Sequence, residues 1–335
     1  MKFQQPTLKD IANTLGISVS TASRALRNGY EISEQTKQLV IEYAKTINFK
    51  VNPIAKSLKH RKSHSIGIIV PDLTADFFSQ LINGAESDAY QKGYNLTVSQ
   101  SLGSVKKERN LIKFLSSSAI DGLIIGLCEG EQNQDLLLKL YKSGLPIVFV
   151  DRIPKLQQVH KITSNHLESS INAVTHLIQK GNTRIAYFGS RSVDCVATDR
   201  FKGYIKALDN HHILYDQNLV QLYKPGKVGS KTLENIGKRI MAARPDAILI
   251  DDDRLGNEFL KILKRGALLG TEQLVFACFT NSTFTELFDY QMTVVCQPAF
   301  QIGSSASEHL IDMISAKKPP ESFHHVVINS HILFD

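Results

Sequence analysis

Cysteine is scarce and scattered. Only Cys128, Cys195, Cys278 and Cys296 occur in 335 residues, and no Cys-x-x-Cys pair is among them. That spacing excludes a zinc ribbon or a disulfide framework and fits free thiols in a reducing compartment. No apolar run approaches the roughly 18 residues a membrane-spanning helix needs. The opening MKFQQPTLKD carries no apolar secretion segment, so a cytoplasmic protein is expected. Three enzyme signatures are also missing: a Gly-x-x-x-x-Gly-Lys-Ser/Thr phosphate loop, a Gly-x-Ser-x-Gly elbow and a metal-spaced histidine group. The expectation is therefore a protein that is not an enzyme and uses neither cofactor nor metal. Tryptophan is absent altogether.

Excess charge is lacking too, except at one end. Residues 1–62 hold 11 Lys and Arg against 4 Asp and Glu, while the remaining 273 residues hold 28 of each sign. The whole net charge of +7 thus sits on the N-terminal segment, as expected of a unit that meets phosphates.

That segment reads as folded helices. In TLKDIANTLGISVSTASRALRN, residues 7–28, the apolar Leu8, Ile11, Ala12 and Leu15 fall on one helical face. Thr7 can cap this helix, Gly16 permits a sharp turn, Ile17 fills the corner and Ser18 can cap a second helix. The outward side of the second helix is small, hydroxylated and basic: Ser20, Thr21, Ser23, Arg24 and Arg27. Such a face fits a DNA major groove. A third helix starts after Ser33, with Leu39, Val40, Tyr43, Ala44 and Ile47 as its expected buried face. Asn52-Pro53 then opens a short basic stretch, suited to a linker or to a segment that folds only on DNA.

From Ser65 the texture changes. Strand candidates at 66–70, 95–99, 122–127, 147–151, 185–189, 247–250, 274–278 and 326–333 alternate with helical periods. The helical stretches include 77–92, 167–179, 200–209 and 299–315, and a further one is expected over 283–290. Continuous Ile, Val and Leu runs between helices imply parallel strands covered on both faces. The length of this body favours two lobes with a cleft at the strands' carboxyl ends. Lys-Lys-Pro-Pro at 317–320 reads as a surface connection between lobes.

Taken in order, TLKDIANTLGISVSTASRALRN, NPIAKSL, IGIIVPDLTADFF, DGLIIG, PIVFVDR, TDRFKGYIKAL, FTN and VCQPAFQIG resemble the lactose-repressor/galactose-repressor family of bacterial transcription regulators. The resemblance implies an α plus α/β architecture. A three-helix helix-turn-helix headpiece (1–50) and a hinge helix (51–63) precede a two-lobed, periplasmic-binding-protein-like doubly wound body (64–335). Lobe one is expected at about 64–163 plus 295–320, and lobe two at about 164–294 plus 321–335. The implied partners are double-stranded operator DNA, a second copy of the chain and a small-molecule effector, a sugar or sugar derivative; no membrane is involved. The implied function is a ligand-controlled repressor on a near-palindromic operator. No leucine-heptad tail follows residue 320, so a dimer is expected rather than a tetramer.

Carried over by position, Val19, Ser20 and Arg24 match base-reading residues, and Thr7, Thr21 and Ser23 match residues near phosphates. Val19 also fits the core period with Ala22, and Arg24 also suits a phosphate contact. In the hinge, Ala55, Leu58 and Lys59 match DNA-contacting positions, with Leu58 as a minor-groove wedge or as dimer packing. The family usually has Pro where Val51 stands. The effector cleft corresponds to Phe77, Phe78, Asp151, Arg200, Asp251 and Asn281. Either acid could instead cap a helix, and Arg200 is expected to open one. Asn281 stands where many members carry Asp, and LIDDD replaces a usual Asn-Asp. With Lys224 and Arg200 nearby, these departures lean toward an effector more anionic than a plain sugar. A small-molecule binding protein or a carbohydrate-metabolism enzyme on the same body is the alternative reading.

Overall fold

Two units partition the chain, Met1–Ser63 and His64–Asp335. The computed structural model describes residues 6–49, 62–118, 120–128, 132–191, 194–223, 230–264, 274–282, 292–316, 318, 320 and 322–334. Residues 51–61 of the expected hinge helix and the helix over 283–290 lie outside the described residues.

In the first unit, α1 (Leu8–Leu15), α2 (Val19–Leu26) and α3 (Glu34–Thr46) enclose a small core of Ile11, Ala12, Ala22, Ala25, Val40 and Ala44. Thr7 and Asp10 form a reciprocal cap on α1. Gly16 turns the chain at φ +63°, where a side chain would be strained. Ser18 then caps α2 by accepting from the Thr21 amide at 3.0 Å. On α3 the expectation for Leu39 is corrected, since it is half exposed while Lys37 is buried and pairs with Glu34 at 2.7 Å. The buried stripe runs 37, 40, 44, and Leu39 falls one position to its side.

The second unit contains two six-stranded sheets. Sheet one has the order β11-β5-β4-β3-β1-β2, from β1 (Ser65–Val70), β2 (Asn95–Gln100), β3 (Gly122–Ile125), β4 (Ile147–Val150), β5 (His160–Ser164) and β11 (His325–Ile328). Its helices are α4 (Asp76–Gln91), α5 (Val105–Ser117), α6 (Gln134–Lys142) and α11 (Ala299–Ser315). Sheet two has the order β12-β10-β9-β8-β6-β7, from β6 (Ile185–Ser190), β7 (Val220–Tyr223), β8 (Ala247–Ile250), β9 (Val275–Phe279), β10 (Met292–Cys296) and β12 (His331–Leu333). Around it lie α7 (His166–Gln179), α8 (Cys195–Asn210), α9 (Ser230–Ala242) and α10 (Asp253–Lys264). All described strand pairs are parallel except β10 with β12.

The central strands of each sheet are buried on both faces, whereas the edge strands β2, β11 and β12 are largely exposed. Ile66, Ile68 and Val70 of β1 meet α4 and α11, whereas Ile69 meets the cluster that includes Ile112 of α5 and Leu137 of α6. In sheet two, Phe188, Ile248 and Phe276 face α9 and α10, and Tyr187, Leu249 and Ala277 face α7 and α8. Glycines let α4 and α11 touch backbone to backbone. A Cβ on Gly303 would stand 1.8 Å from the Leu81 carbonyl oxygen, and one on Gly84 would stand 2.0 Å from that of Phe300.

The chain passes between lobes after β5, after β10 and after β11. The last crossing corrects two expectations. The run 326–333 is two strands, with His325–Ile328 beside β5 in sheet one and His331–Leu333 beside β10 in sheet two. Lobe one therefore regains the chain to Ile328, and the segment after α11 leads to a strand of the same lobe.

Candidate functional site

On α2, alternate fates separate core from surface. Ala22 and Ala25 are wholly buried, whereas Val19 is 46% exposed and Ser20 and Arg24 are exposed beside it. Thr21 and Ser23 are half-buried and Thr7 is exposed. The Ser18 hydroxyl lies 2.7 Å from that of Ser20 and 2.8 Å from that of Thr21, so the cap orders the start of this face. Five of the six headpiece candidates thus cluster on one short helix, with Thr7 at the start of α1. Ala55, Leu58 and Lys59 lie outside the described residues.

The second unit has a cavity of about 400 Å³ at the carboxyl ends of strands from both sheets. Lobe one contributes Asp72, Phe78 and Arg152; lobe two contributes Asp194, Arg200, Tyr223 and the run Asp251 to Arg254. Arg200 sits at the centre of a polar cluster. Its guanidinium donates to the Asp251 carbonyl and, at 2.8 Å, to Gln297 Oε1, and lies 4.1 Å from the Phe279 ring centre. This is a desolvated cation–π stack. Its Nη2 is 3.4 Å from His166 Nδ1, and among the described residues its Nε has no hydrogen-bond partner. Arg200 lies within α8 instead of opening it, because Asp194 caps that helix by accepting from the Ala197 amide at 2.8 Å.

Asp251 and Asp151 differ from the expected ligand pair. The Asp251 carboxylate is turned inward, accepting from the Tyr187 hydroxyl at 2.7 Å and the Ser190 amide at 3.1 Å. Gly189 makes room for it, since a Cβ there would meet its Oδ2 at 2.3 Å. Burial pushes its pKa up to about 7 against the lowering effect of Tyr187. The cap of α10 is Asp252, which accepts from the Leu255 amide at 3.1 Å. Asp253 accepts from Thr280 and is pushed by burial to about 6. Asp151 adopts φ +56° and does not line this cavity. It borders a smaller hollow of about 320 Å³ with His166, Cys195 and Asp199. Burial raises it to about 6 despite Arg152 and Arg200.

Phe78 faces the cleft, whereas Phe77 packs edge-on against it at 5.1 Å within the lobe-one core. Asn281 is also outside the cavity lining. It joins the lobes: its Nδ2 donates to Gln80 Oε1 at 2.8 Å and to the Gln297 carbonyl at 2.7 Å, and Gln80 Nε2 returns a bond to the Asn281 carbonyl at 3.2 Å. Other contacts also span the seam, two of them beside Arg152. Arg152 Nε stands 3.7 Å from Asp194 Oδ2, and the Ile153 amide donates to Cys195 Sγ at 3.5 Å. Sequence reasoning missed Arg152, Asp194, Asp252, Asp253 and Arg254. A usable signal existed, because Arg152 directly follows a strand-end acid and the run 251–254 directly follows β8.

The lining carries five aspartates against three arginines. The lean toward an anionic effector rested on Lys224, which lies outside the described residues, and on Arg200, whose guanidinium is engaged by the protein.

Two doubly wound lobes closing on a polar cleft, on a chain that also bears a helix-turn-helix unit, define a ligand-binding, DNA-binding transcription regulator. Residues 63–333 match the family described as periplasmic binding proteins and sugar binding domain of LacI family, and residues 7–52 match the bacterial regulatory proteins of the lacI family. The chain belongs to the LacI family, whose members are regulators and not enzymes. It is 28% identical over 315 residues to the HTH-type transcriptional repressor PurR of Vibrio atlanticus, covering 93% of this chain and 92% of that one. Its fold resembles the lac repressor dimer bound to operator (TM-score 0.78, 19% identity, 98% of each chain). It also resembles a transcriptional regulator CelR–cellobiose complex (TM-score 0.71, 20% identity, 98% of each chain). Among the described residues no helix is long and apolar enough to cross a membrane.

Proposed function

We propose that this protein is a cytoplasmic repressor that binds a near-palindromic operator as a homodimer and is controlled by a small polyol, neutral or amine-bearing, held between its lobes. The headpiece (1–50) reads DNA through Val19, Ser20 and Arg24, with Thr7, Thr21 and Ser23 near phosphates. Ala55, Leu58 and Lys59 of the hinge (51–63) are assigned to DNA contact by the resemblance, with Leu58 as the minor-groove wedge. The lac repressor resembled above is an operator-bound dimer, and the CelR protein is a cellobiose complex, which supports both partners.

The observation that carries the regulatory part is the overlap of cleft and seam. Arg152 and Asp194 line the cavity and also face each other across it at 3.7 Å. A ligand that engages either group changes the free energy of lobe closure, and by linkage closure changes its affinity. The excess of aspartates favours hydroxyl or ammonium donors over phosphate. Arg152, Asp194, Asp252, Asp253, Arg254 and Phe78, together with the unpartnered Nε of Arg200, are assigned to the ligand. Asp251, Asp151, Phe77 and Asn281 are assigned to shaping and closing the site.

The test is selection of bound duplexes from random DNA by the full chain at about 0.15 M salt, where phosphate-only binding is weak. It is repeated with a panel of neutral sugars, amino sugars and sugar phosphates. An enriched near-palindrome whose binding shifts with a neutral or amino sugar supports the reading. A response confined to sugar phosphates would overturn the effector assignment, and no enrichment under any condition would overturn the operator assignment.

A further inference from the structure

Arg24 is not free at the surface of the recognition helix. Its Nη1 donates to Glu31 Oε2 at 2.8 Å, with the side chains 61% and 45% exposed. The pairing is built by the turn that ends α2. The amides of Arg27 and Gly29 donate to the carbonyl of Arg24 itself, at 3.1 and 2.9 Å, and Asn28 between them takes φ +56°. Gly29 fits closely, since a Cβ there would sit 3.2 Å from that same carbonyl. The Ile32 amide then returns to the Gly29 carbonyl at 3.2 Å. The turn is thus anchored on the arginine's own backbone and delivers Glu31 back to its side chain.

A guanidinium has five donors in a planar fork, and guanine presents N7 and O6 as a pair of acceptors. Glu31 occupies one donor and leaves the others available, fixing the plane in which they point. A carboxylate paired to Arg24 also weakens its use as a simple phosphate contact, because a phosphate brought to that guanidinium would meet the Glu31 charge beside it.

We infer that Glu31 is a specificity-determining positioning residue, which holds Arg24 for bidentate recognition of guanine and opposes its use on phosphate. This rests on the reading of α2 as the recognition helix.

The test uses full-length wild type, Glu31→Gln, Glu31→Asp and Arg24→Ala. Each is measured on the selected operator, on operators with each guanine replaced in turn, and on random duplex DNA over a salt series. In wild type one guanine replacement weakens binding tenfold or more, and Arg24→Ala removes that penalty. Glu31→Gln is expected to cut the penalty to about threefold or less while raising random-DNA affinity about two- to fivefold, with an unchanged melting temperature. Glu31→Asp is expected to keep part of the penalty. If Glu31→Gln keeps the full guanine penalty while Arg24→Ala abolishes it, the inference fails and the recognition helix stands. If Glu31→Gln strengthens binding equally on every duplex, Glu31 is only a repulsive charge and the inference also fails. If Arg24→Ala leaves every base preference intact, the helix assignment and the inference fall together.

Discussion

Removing Gln80 tests whether the seam governs closure. Gln80→Ala deletes both bonds between α4 and Asn281, the 2.8 Å bond from Asn281 Nδ2 and the 3.2 Å bond to its carbonyl. It leaves the tie between Asn281 and Gln297 intact, at 2.7 and 3.1 Å. Each bond contributes about 0.5–1.5 kcal/mol net, so the pair holds the lobes together by about 1–3 kcal/mol, or roughly 5- to 150-fold in opening. Gln80 is only half-buried, which favours the lower part of that range, about 5- to 30-fold. The reporter is the Ile153 amide, which donates to Cys195 Sγ across the seam. Its hydrogen exchange, read by mass spectrometry of a peptide spanning residues 151–153, is expected to accelerate by that factor while exchange within β1 and β8 is unchanged. Exchange at Ile153 equal to wild type would refute the idea that this pair latches the lobes. Asn281→Asp makes a sharper version. Its new oxygen would face the acceptors of Gln80 and Gln297, and Gln80 can rotate its amide to donate whereas the Gln297 carbonyl cannot. The seam of that variant is expected to tighten as pH falls and the acid is protonated.

Three further outcomes are expected. Gly303→Ala drives a methyl group into the Leu81 carbonyl and should cost lobe one about 3 kcal/mol or more, read as a lowered urea midpoint. Ser18→Ala removes the cap of α2 and should destabilise the headpiece by about 1 kcal/mol, seen in its thermal unfolding, with weakened operator binding. The third concerns pH: Asp251 keeps its proton to about 7 in the folded protein, so the stability it contributes is full below the ordinary carboxylate value of 3.8 and is lost as pH rises toward 7. Urea unfolding should show wild type losing ground to Asp251→Asn over that window. His160, pushed down to about 4 chiefly by burial, should show the opposite slope against His160→Gln between 6.5 and 4; parallel curves for either pair would refute the assignment.

What was legible in the sequence follows from what dominates each element energetically. Buried strands such as β1, β3, β4 and β8 announce themselves because both faces require apolar side chains. By contrast β5 (HKITS), β7 (VQLY) and β10 (MTVVC) are short and chemically mixed, and their pairing depends on neighbours distant in sequence. The split of 326–333 was hidden for a related reason. A crossing between sheets needs only a short non-strand link such as Asn329-Ser330, while apolar texture continues on either side. The headpiece was more readable because its caps and turn are local chemistry, and Thr7, Gly16, Ser18 and Ser33 each sit where short-range hydrogen bonding demands. At the cleft, three consecutive aspartates cannot be sorted by sequence into anchor, cap and lining. That sorting is made by Tyr187 and Gly189 on the neighbouring strand β6.

The same sorting explains why closure and recognition share residues. A buried carboxyl group is costly unless partners face it; Asp251 takes its partners, the Tyr187 hydroxyl and the Ser190 amide, within its own lobe, and burial still raises it to about 7. It therefore has little left to offer a ligand. Arg152 Nε faces Asp194 across the seam at a distance longer than a direct hydrogen bond, and among the described residues it has no hydrogen-bond partner, so it retains a donor when the lobes are together. On the proposed reading, a ligand hydroxyl supplies the acceptor that this N–H lacks, and does so fully only when the lobes are closed around it. That is the differential affinity a population shift requires, and it has a scale. Moving an open-to-closed ratio from 99:1 to 1:99 takes about 5.5 kcal/mol, more than the Gln80–Asn281 pair supplies. On the proposed reading the remainder comes from the ligand's contacts with groups of both lobes, and the Gln80–Asn281 latch sets the threshold for closure.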